Sequence, residues 1–261
     1  MLFSDLALSR RLERTEGHAC VQFAQVRRRL FPERGAEWME CAGAFAVFDG
    51  IDSPVTQAFG LGIFEELSAG SLDVIEKFFL DRGAQVDLEV SPLAGVAALS
   101  LLCARQFRPI EISSVMYQLV EKPAAEAPPH IRVRVTAPEE GKRWADVSAR
   151  GWGHGQVEFG VICAAREDSP CFLAEIDGEP GAAGALSIHD GLALFAGGAT
   201  VPEMRRRGLQ AALLEERMRY AFDHGCDLAM MVAEVGGESQ RNAERKGFRI
   251  AYTRTKWRLA R

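Results

Sequence analysis

None of the six cysteines (Cys20, Cys41, Cys103, Cys163, Cys171 and Cys226) pairs with another at C-x-x-C spacing, so no dithiol or zinc-binding framework is expected. Scattered thiols in apolar surroundings read as buried free cysteines in a reducing compartment. His18, His130, His189 and His224 also lack ligand spacing, and no metal is expected. No uninterrupted apolar run approaches the roughly 18 residues of a membrane span. The opening Met1-Leu-Phe-Ser-Asp-Leu6 lacks the basic-then-apolar layout of a secretory leader. A cytoplasmic protein without a membrane partner is therefore expected. Charge is short as well. A net charge of −5 and a pI near 5.7 give no long-range attraction to nucleic acid or anionic lipid.

What is present describes a soluble globular chain, with 48% hydrophobic and 26% charged residues. Its 261 residues suffice for one large domain or two of ordinary size. The most informative stretch is Ala199-Thr-Val-Pro-Glu-Met-Arg-Arg-Arg-Gly-Leu-Gln-Ala-Ala-Leu-Leu214. A strand expected over Leu192–Val201 enters a loop with Arg205, Arg206, Arg207 and Gly208. A helix then begins at Leu209, with Ala211, Leu214, Met218, Ala221 and Phe222 at helical spacing on one face. Helix N-termini carry partial positive charge and unpaired N–H groups, and usually attract Ser, Thr, Asp or Glu. Here the entry offers three arginines and a glycine instead. Such a start reads as a cradle for a phosphate-bearing anion.

This strand–loop–helix resembles the acyl-CoA-binding motif of the GNAT superfamily of N-acyltransferases, Arg/Gln-x-x-Gly-x-Gly/Ala. Arg205 and Gly208 match its first and fourth positions, whereas Gln210 stands where a small residue is usual, followed by Ala211. Because the family uses backbone N–H groups here, a larger side chain pointing outward is compatible with the motif. The tail Gly236-Gly-Glu-Ser-Gln-Arg-Asn-Ala-Glu-Arg-Lys-Gly-Phe248 resembles the family's next helix, which ends in Gly-Phe before a final strand pair.

The composition changes at Val120-Glu-Lys-Pro-Ala-Ala-Glu-Ala-Pro-Pro-His130, an extended linker. After it come a strand at Ile131–Val135, helical material from Pro138 to about Glu167, and a strand at Cys171–Ile176. A Gly/Pro-rich turn, Asp177–Gly184, precedes strands at Ala185–Ile188 and Leu192–Val201. The helix Leu209–His224, a strand at Asp227–Glu234, a helix through Arg245 and a strand at Arg249–Leu259 follow. Before the linker the order repeats: strands at Trp38–Phe48 and Val55–Ile63, a helix at Leu72–Arg82, a strand at Gln85–Val90, a helix at Ala94–Arg105 and a strand at Arg108–Val120. Where the second half has its arginines, the first has Glu65-Glu-Leu-Ser-Ala-Gly-Ser71, carboxylates that repel phosphate, with Ser71 as a plain helix cap. The expectation is an α/β protein of two GNAT-like domains in tandem, each a mixed, mainly antiparallel sheet flanked by helices. Residues 1–120 would be a degenerate copy, 121–130 the linker, and 131–261 the acetyl-CoA-binding domain.

Acyl transfer from a thioester to an amine needs an anchored cofactor, a donor for the developing oxyanion, a base and an acid. The resemblance assigns the anchor to Arg205, Arg206, Arg207 and the backbone of Gly208, Leu209, Gln210 and Ala211. Gly197 and Gly198 within a strand imply a bulge, a close ligand approach or a packing pair. By the same resemblance, Ala199, Thr200 and Val201 offer backbone groups to pantetheine and the carbonyl. An alkyl ammonium is neutral in only about one molecule in 2,500 at pH 7, so a base or desolvating pocket is required. The family's strand glutamate is replaced here by Gly-Gly-Ala-Thr, and its helix tyrosine falls at Ala243. Glu234 is the first candidate base, or else caps a helix or pairs with an arginine. Tyr252 is a candidate acid or a packing residue. Asn242 and Ser239 either contact the cofactor or cap their helix. Gly151-Trp-Gly-His-Gly155 is either a mobile loop presenting Trp152 and His154 to the acceptor or an ordinary turn. The expected activity is transfer of acetyl from acetyl-CoA to a primary amine, small-molecule or peptide, by direct attack, in a monomer or homodimer without nucleic-acid partners. The alternative is a non-catalytic acyl-CoA sensor.

Overall fold

The computed structural model describes residues 3–123, 128–153, 157–167 and 169–260. In chain order its elements are α1 (Leu6–Leu30), β1 (Glu37–Cys41), β2 (Ala44–Phe48), β3 (Gln57–Phe59), α2 (Ala69–Leu80), β4 (Asp87–Val90), α3 (Gly95–Ala104) and β5 (Phe107–Leu119). Beyond the linker come β6 (Ile131–Val135), α4 (Gly141–Trp152), α5 (Val157–Ala164), β7 (Cys171–Ile176), β8 (Glu179–His189) and β9 (Leu192–Thr200). Then follow α6 (Leu209–Asp223), β10 (Leu228–Glu234), α7 (Glu238–Arg245) and β11 (Arg249–Leu259). The expected α/β class, with a mixed sheet flanked by helices, is what the chain adopts.

The residues group into two compact units whose division does not follow the linker alone. The first holds the described residues up to Met116, Val232–Glu244 and those from Phe248 onward; the second holds Tyr117–Met231 and Arg245–Gly247. The strand expected to finish the second domain thus belongs to the first unit. There β11 pairs antiparallel with β4, from Thr255 opposite Val90 to Arg258 opposite Asp87.

In the first unit the strand order is β1-β2-β3-β4-β11-β5, with β3 and β4 parallel. The stretch expected as one strand, Trp38–Phe48, is a hairpin, because Ala42 and Gly43 both take left-handed φ at its tip. Alternation on β2 then sorts the core. Ala44, Ala46 and Phe48 join Leu72, Ile75 and Phe79 of α2, and Leu102 of α3, in one buried cluster. Phe45 faces the other way, toward α1, where its ring lies 4.9 Å from His18. The start of α2 is fully capped: Ser68 accepts from the Ser71 amide at 3.1 Å, and Ser71 Oγ accepts from the Ser68 amide at 3.0 Å. Ser68 is the cap, and Ser71 its reciprocal partner.

In the second unit the order is β10-β9-β8-β7-β6, with β10 and β9 parallel and the other pairs antiparallel. Trp144 anchors α4 on one face, its indole N–H shared between the carbonyls of Phe172 at 3.0 Å and Gly184 at 3.2 Å. The other face carries α6. Residues 179–184 lie in β8 and not in the expected turn, which is confined to Asp177 and Gly178. Gly184 serves close approach: a Cβ there would lie 2.8 Å from Leu213 Cδ2 of α6. All six cysteines are free; Cys163, Cys171 and Cys226 are buried, Cys20 and Cys41 half-buried, and Cys103 exposed, so burial holds for only part of the set. No helix among the described residues is long and apolar enough to cross a membrane, and none of those residues groups His, Cys, Asp or Glu as a metal site would.

Candidate acyl-CoA site on the second unit

The site begins with a strand that loses one neighbour. β9 pairs with β10 only over Leu192–Leu194, opposite Leu228–Met230. Past Leu194 it keeps β8 alone, and there the register shifts: Ala196 faces Ala185, but Ala199 faces Ala183. Gly197 and Gly198 therefore oppose Gly184 in a β-bulge, with Gly197 at φ +62. The Val201 amide donates to Gly181 O at 2.9 Å. Antiparallel alternation then points the Ala199 amide toward β8 and the Thr200 N–H and C=O toward the free edge. This corrects the expectation for two of the three backbone positions. Val201, 1% exposed, has its amide committed within the sheet, and only Thr200 faces outward.

The loop leads to a helix start without caps. Gly208 is the N-cap of α6, at φ +89, with no side-chain hydrogen bond and no acidic residue in the first turn. Arg206 before it takes a left-handed φ of +61. Among the described residues the amides of Gly208, Leu209, Gln210 and Ala211 find no acceptor. Arg206 and Arg207 are exposed and pair with none of the described residues. Aligned amides and two guanidinium groups at one helix N-terminus form an anion cradle.

Arg205 behaves differently from its two neighbours. Its Nε donates to Thr200 O at 3.3 Å and its Nη2 to Gly151 O at 3.1 Å. It ties the end of α4 to the end of β9, so its first role is to shape the site. Gln210 also departs from expectation, since it turns toward β9 instead of outward. Thr200 Oγ1 donates to its Oε1 at 3.2 Å, and its Nε2 lies 3.0 Å from where a Cβ on Gly198 would stand. Glycine at 198 makes room for the larger residue at 210. Leu209 is buried under the loop, and Ala211 is half-buried on the first turn.

The expected acceptor region adjoins this cluster through Gly151. A Cβ there would meet Ala199 Cβ at 2.7 Å and the Thr200 nitrogen at 3.0 Å. Gly151→Ala is therefore expected to push the end of β9, at an overpacking cost of about 1–3 kcal/mol. A thermal melt beside amide exchange over Ala199 and Thr200 checks this; no change in either would uncouple α4 from the strand end. Trp152 closes α4 and is exposed, while His154 lies outside the described residues.

The catalytic candidates fall on the first unit. Glu234 ends β10, exposed, its carbonyl accepting from the Gly237 amide at 3.0 Å; its carboxylate pairs with no arginine among the described residues. Asn242 is half-buried on α7, and Ala243 is buried beside it. Tyr252 requires correction as a proton donor. It is buried on β11, and its hydroxyl donates to Glu13 Oε1 at 2.8 Å. Burial, with the Glu13 carboxylate beside it, holds the phenol well above its usual range. Its proton belongs to a buried network.

Comparison with known proteins agrees with this geometry. Residues 138–248 match the acetyltransferase (GNAT) family model, whereas no curated protein matches the chain. A GCN5-related N-acetyltransferase from Kribbella flavida superposes with a TM-score of 0.70 at 18% identity, over 94% of this chain and 95% of that one. One from Sphaerobacter thermophilus gives 0.61 at 18% identity, over 77% and 71%. A tandem GNAT protein from the clavulanic acid biosynthesis pathway gives 0.60 at 12% identity, over 84% and 79%. At these identities the structures share the fold. Similarity to the GNAT acetyltransferase family is thus shown over residues 138–248, and similarity of fold over most of the chain.

Proposed function

We propose that this protein transfers an acetyl group from acetyl-CoA to a primary amine by direct attack. The observation that carries the reading is the uncapped start of α6 beside the free edge of β9. The amides of Gly208–Ala211, with Arg206 and Arg207, would hold the pyrophosphate. The Thr200 N–H would donate to the pantetheine or the thioester oxygen. In the reaction the amine nitrogen bonds to the acyl carbon, the C–S bond breaks, and the thiolate gains a proton. Glu234 is the proposed base, and Asn242 a proposed cofactor contact. Trp152 and His154 are proposed to border the acceptor. The capped α2 start with Glu65 and Glu66 before it supports reading the first unit as a copy without cofactor chemistry.

The test is thiol release from acetyl-CoA with a panel of primary amines, beside calorimetric titration of CoA. Micromolar CoA binding with turnover on at least one amine class is expected. Binding without turnover on every class would shift the assignment to an acyl-CoA sensor, and absence of CoA binding would overturn both.

A further inference from the structure

The inner face of α6 carries a charge among apolar neighbours. Arg217 is 2% exposed, flanked on its stripe by Leu213, Leu214, Met218 and Ala221, and pairs with no carboxylate among the described residues. Its Nε donates to Leu213 O at 3.2 Å. Its Nη1 donates to Ala185 O at 3.2 Å and to Ala196 O at 3.3 Å. The guanidinium carbon sits 4.9 Å from the centre of the Phe195 ring. Burial pushes its pKa down to about 9, which leaves it charged at neutral pH.

Keeping an unpaired cation out of water is costly, and a hydrophobic side chain of similar volume usually fills such a place at least as stably. Packing alone therefore does not explain an arginine here. Its partners do. Ala185 and Ala196 face each other on the last regular rung of the β8–β9 ladder before Gly197 and Gly198. Nη1 bridges both carbonyls of that rung. Gly184, opposite the bulge, in turn makes room for the guanidinium, since a Cβ there would lie 3.2 Å from Cζ.

We propose that Arg217 is a positioning residue of the acyl-transfer site: its guanidinium clamps β8 to β9 at the Ala185–Ala196 rung and so fixes the bulge that turns the Thr200 N–H to the free strand edge. The inference rests on the acyl-CoA reading above. The clamp acts on the geometry around the thioester, and the cradle at Arg206–Ala211 is separate from it.

The decisive variants are Arg217→Met and Arg217→Lys, the second keeping the charge but not the planar fork that spans two carbonyls. Arg217→Met is expected to melt at or above the wild-type temperature. Its CoA affinity should stay within about twofold, while kcat on the amine found for the wild type falls about tenfold or more with a smaller change in KM. Amide exchange over Gly197–Thr200 should quicken by about tenfold, with the α6 interior unchanged. Arg217→Lys should fall between the two. Wild-type turnover and wild-type exchange in Arg217→Met would overturn the proposal. If the wild type binds CoA but acylates no amine, exchange at the bulge decides the clamp by itself. Wild-type protein that does not bind CoA removes the acyl-CoA reading, and the site role with it. Should Arg217→Met not fold, Arg217→Lys is read in its place, and unfolding of both would make the residue a stability element and overturn the proposal.

Discussion

Reversing two charges at the start of α6, as R206E with R207E, is expected to weaken CoA binding by about tenfold or more, a loss of at least about 1.4 kcal/mol. Both side chains are exposed and pair with none of the described residues, so the change breaks no internal contact. The loss should shrink as salt is raised, because salt screens the attraction between exposed charges, with a Debye length that shortens from about 30 Å at 0.01 M to about 3 Å at 1 M. Glu65→Ala, a change on the first unit, should leave CoA affinity unaltered. Arg205 is excluded from the double variant because its guanidinium holds the carbonyls of Thr200 and Gly151, and losing it would disturb the loop as well as the charge. Calorimetric titration at two salt concentrations checks the prediction. Equal losses from R206E/R207E and Glu65→Ala would place the cofactor elsewhere.

Removing one buried cation on β11 should cost more than any surface change. Arg254 is 1% exposed and its Nη1 donates to Glu13 Oε1 and Oε2 at 3.2 Å each. The same guanidinium donates to both Glu16 oxygens, at 2.6 and 3.0 Å. Its Nε lies 3.0 Å from Glu89 Oε2, an ion contact without hydrogen-bond geometry. Arg254→Ala would strand the buried Glu13 and Glu89 without this partner and is expected to destabilise by about 3–5 kcal/mol. Arg258, half-exposed and paired with Asp87 at 2.7 Å, supplies the control: Arg258→Ala should cost no more than about 1 kcal/mol. The sign with pH follows from Glu13. Burial raises its carboxyl, and Arg254 opposes that rise. Without Arg254 the carboxyl climbs further, so the variant favours its protonated form. A raised folded-state pKa contributes stability at low pH and loses it as pH rises through that value. The gap between variant and wild type should therefore widen from pH 5 to pH 8 in urea melts. A gap that narrows over that range would mean Arg254 is not the counter-ion of Glu13.

The strand–loop–helix of the proposed cofactor site was legible because three signals coincide: an apolar strand ending in glycines, a helix start without a capping residue, and helical spacing after it. The bulge was readable from Gly197 and Gly198, since paired glycines weaken a strand that does not need them. Other features left no such mark. α1 hides its period because Ser9, Glu13, Thr15 and Gly17 are buried on its contact face, which interrupts any apolar stripe. Glycines at 181 and 184 looked like turn residues, because composition does not separate a glycine needed for φ from one needed for close approach. The apolar face read for α6 included Phe222, which is exposed, and left out Arg217, which is buried. One signal was available: Leu213, Arg217 and Ala221 follow each other at four-residue steps, placing a cation inside the stripe. Tyr252 could be judged only with Glu13, which lies 239 positions away.

The pairing of β11 with β4 also orders events in time. Edge backbone of β4 waits for residues 249–259, so the amino-terminal unit cannot close its sheet during early translation. An isolated fragment ending at the proline-rich tether would keep that unsatisfied border and be prone to self-association. Biogenesis of the two units is thus tied to synthesis of the whole chain, a dependence that a simple beads-on-a-string arrangement would lack.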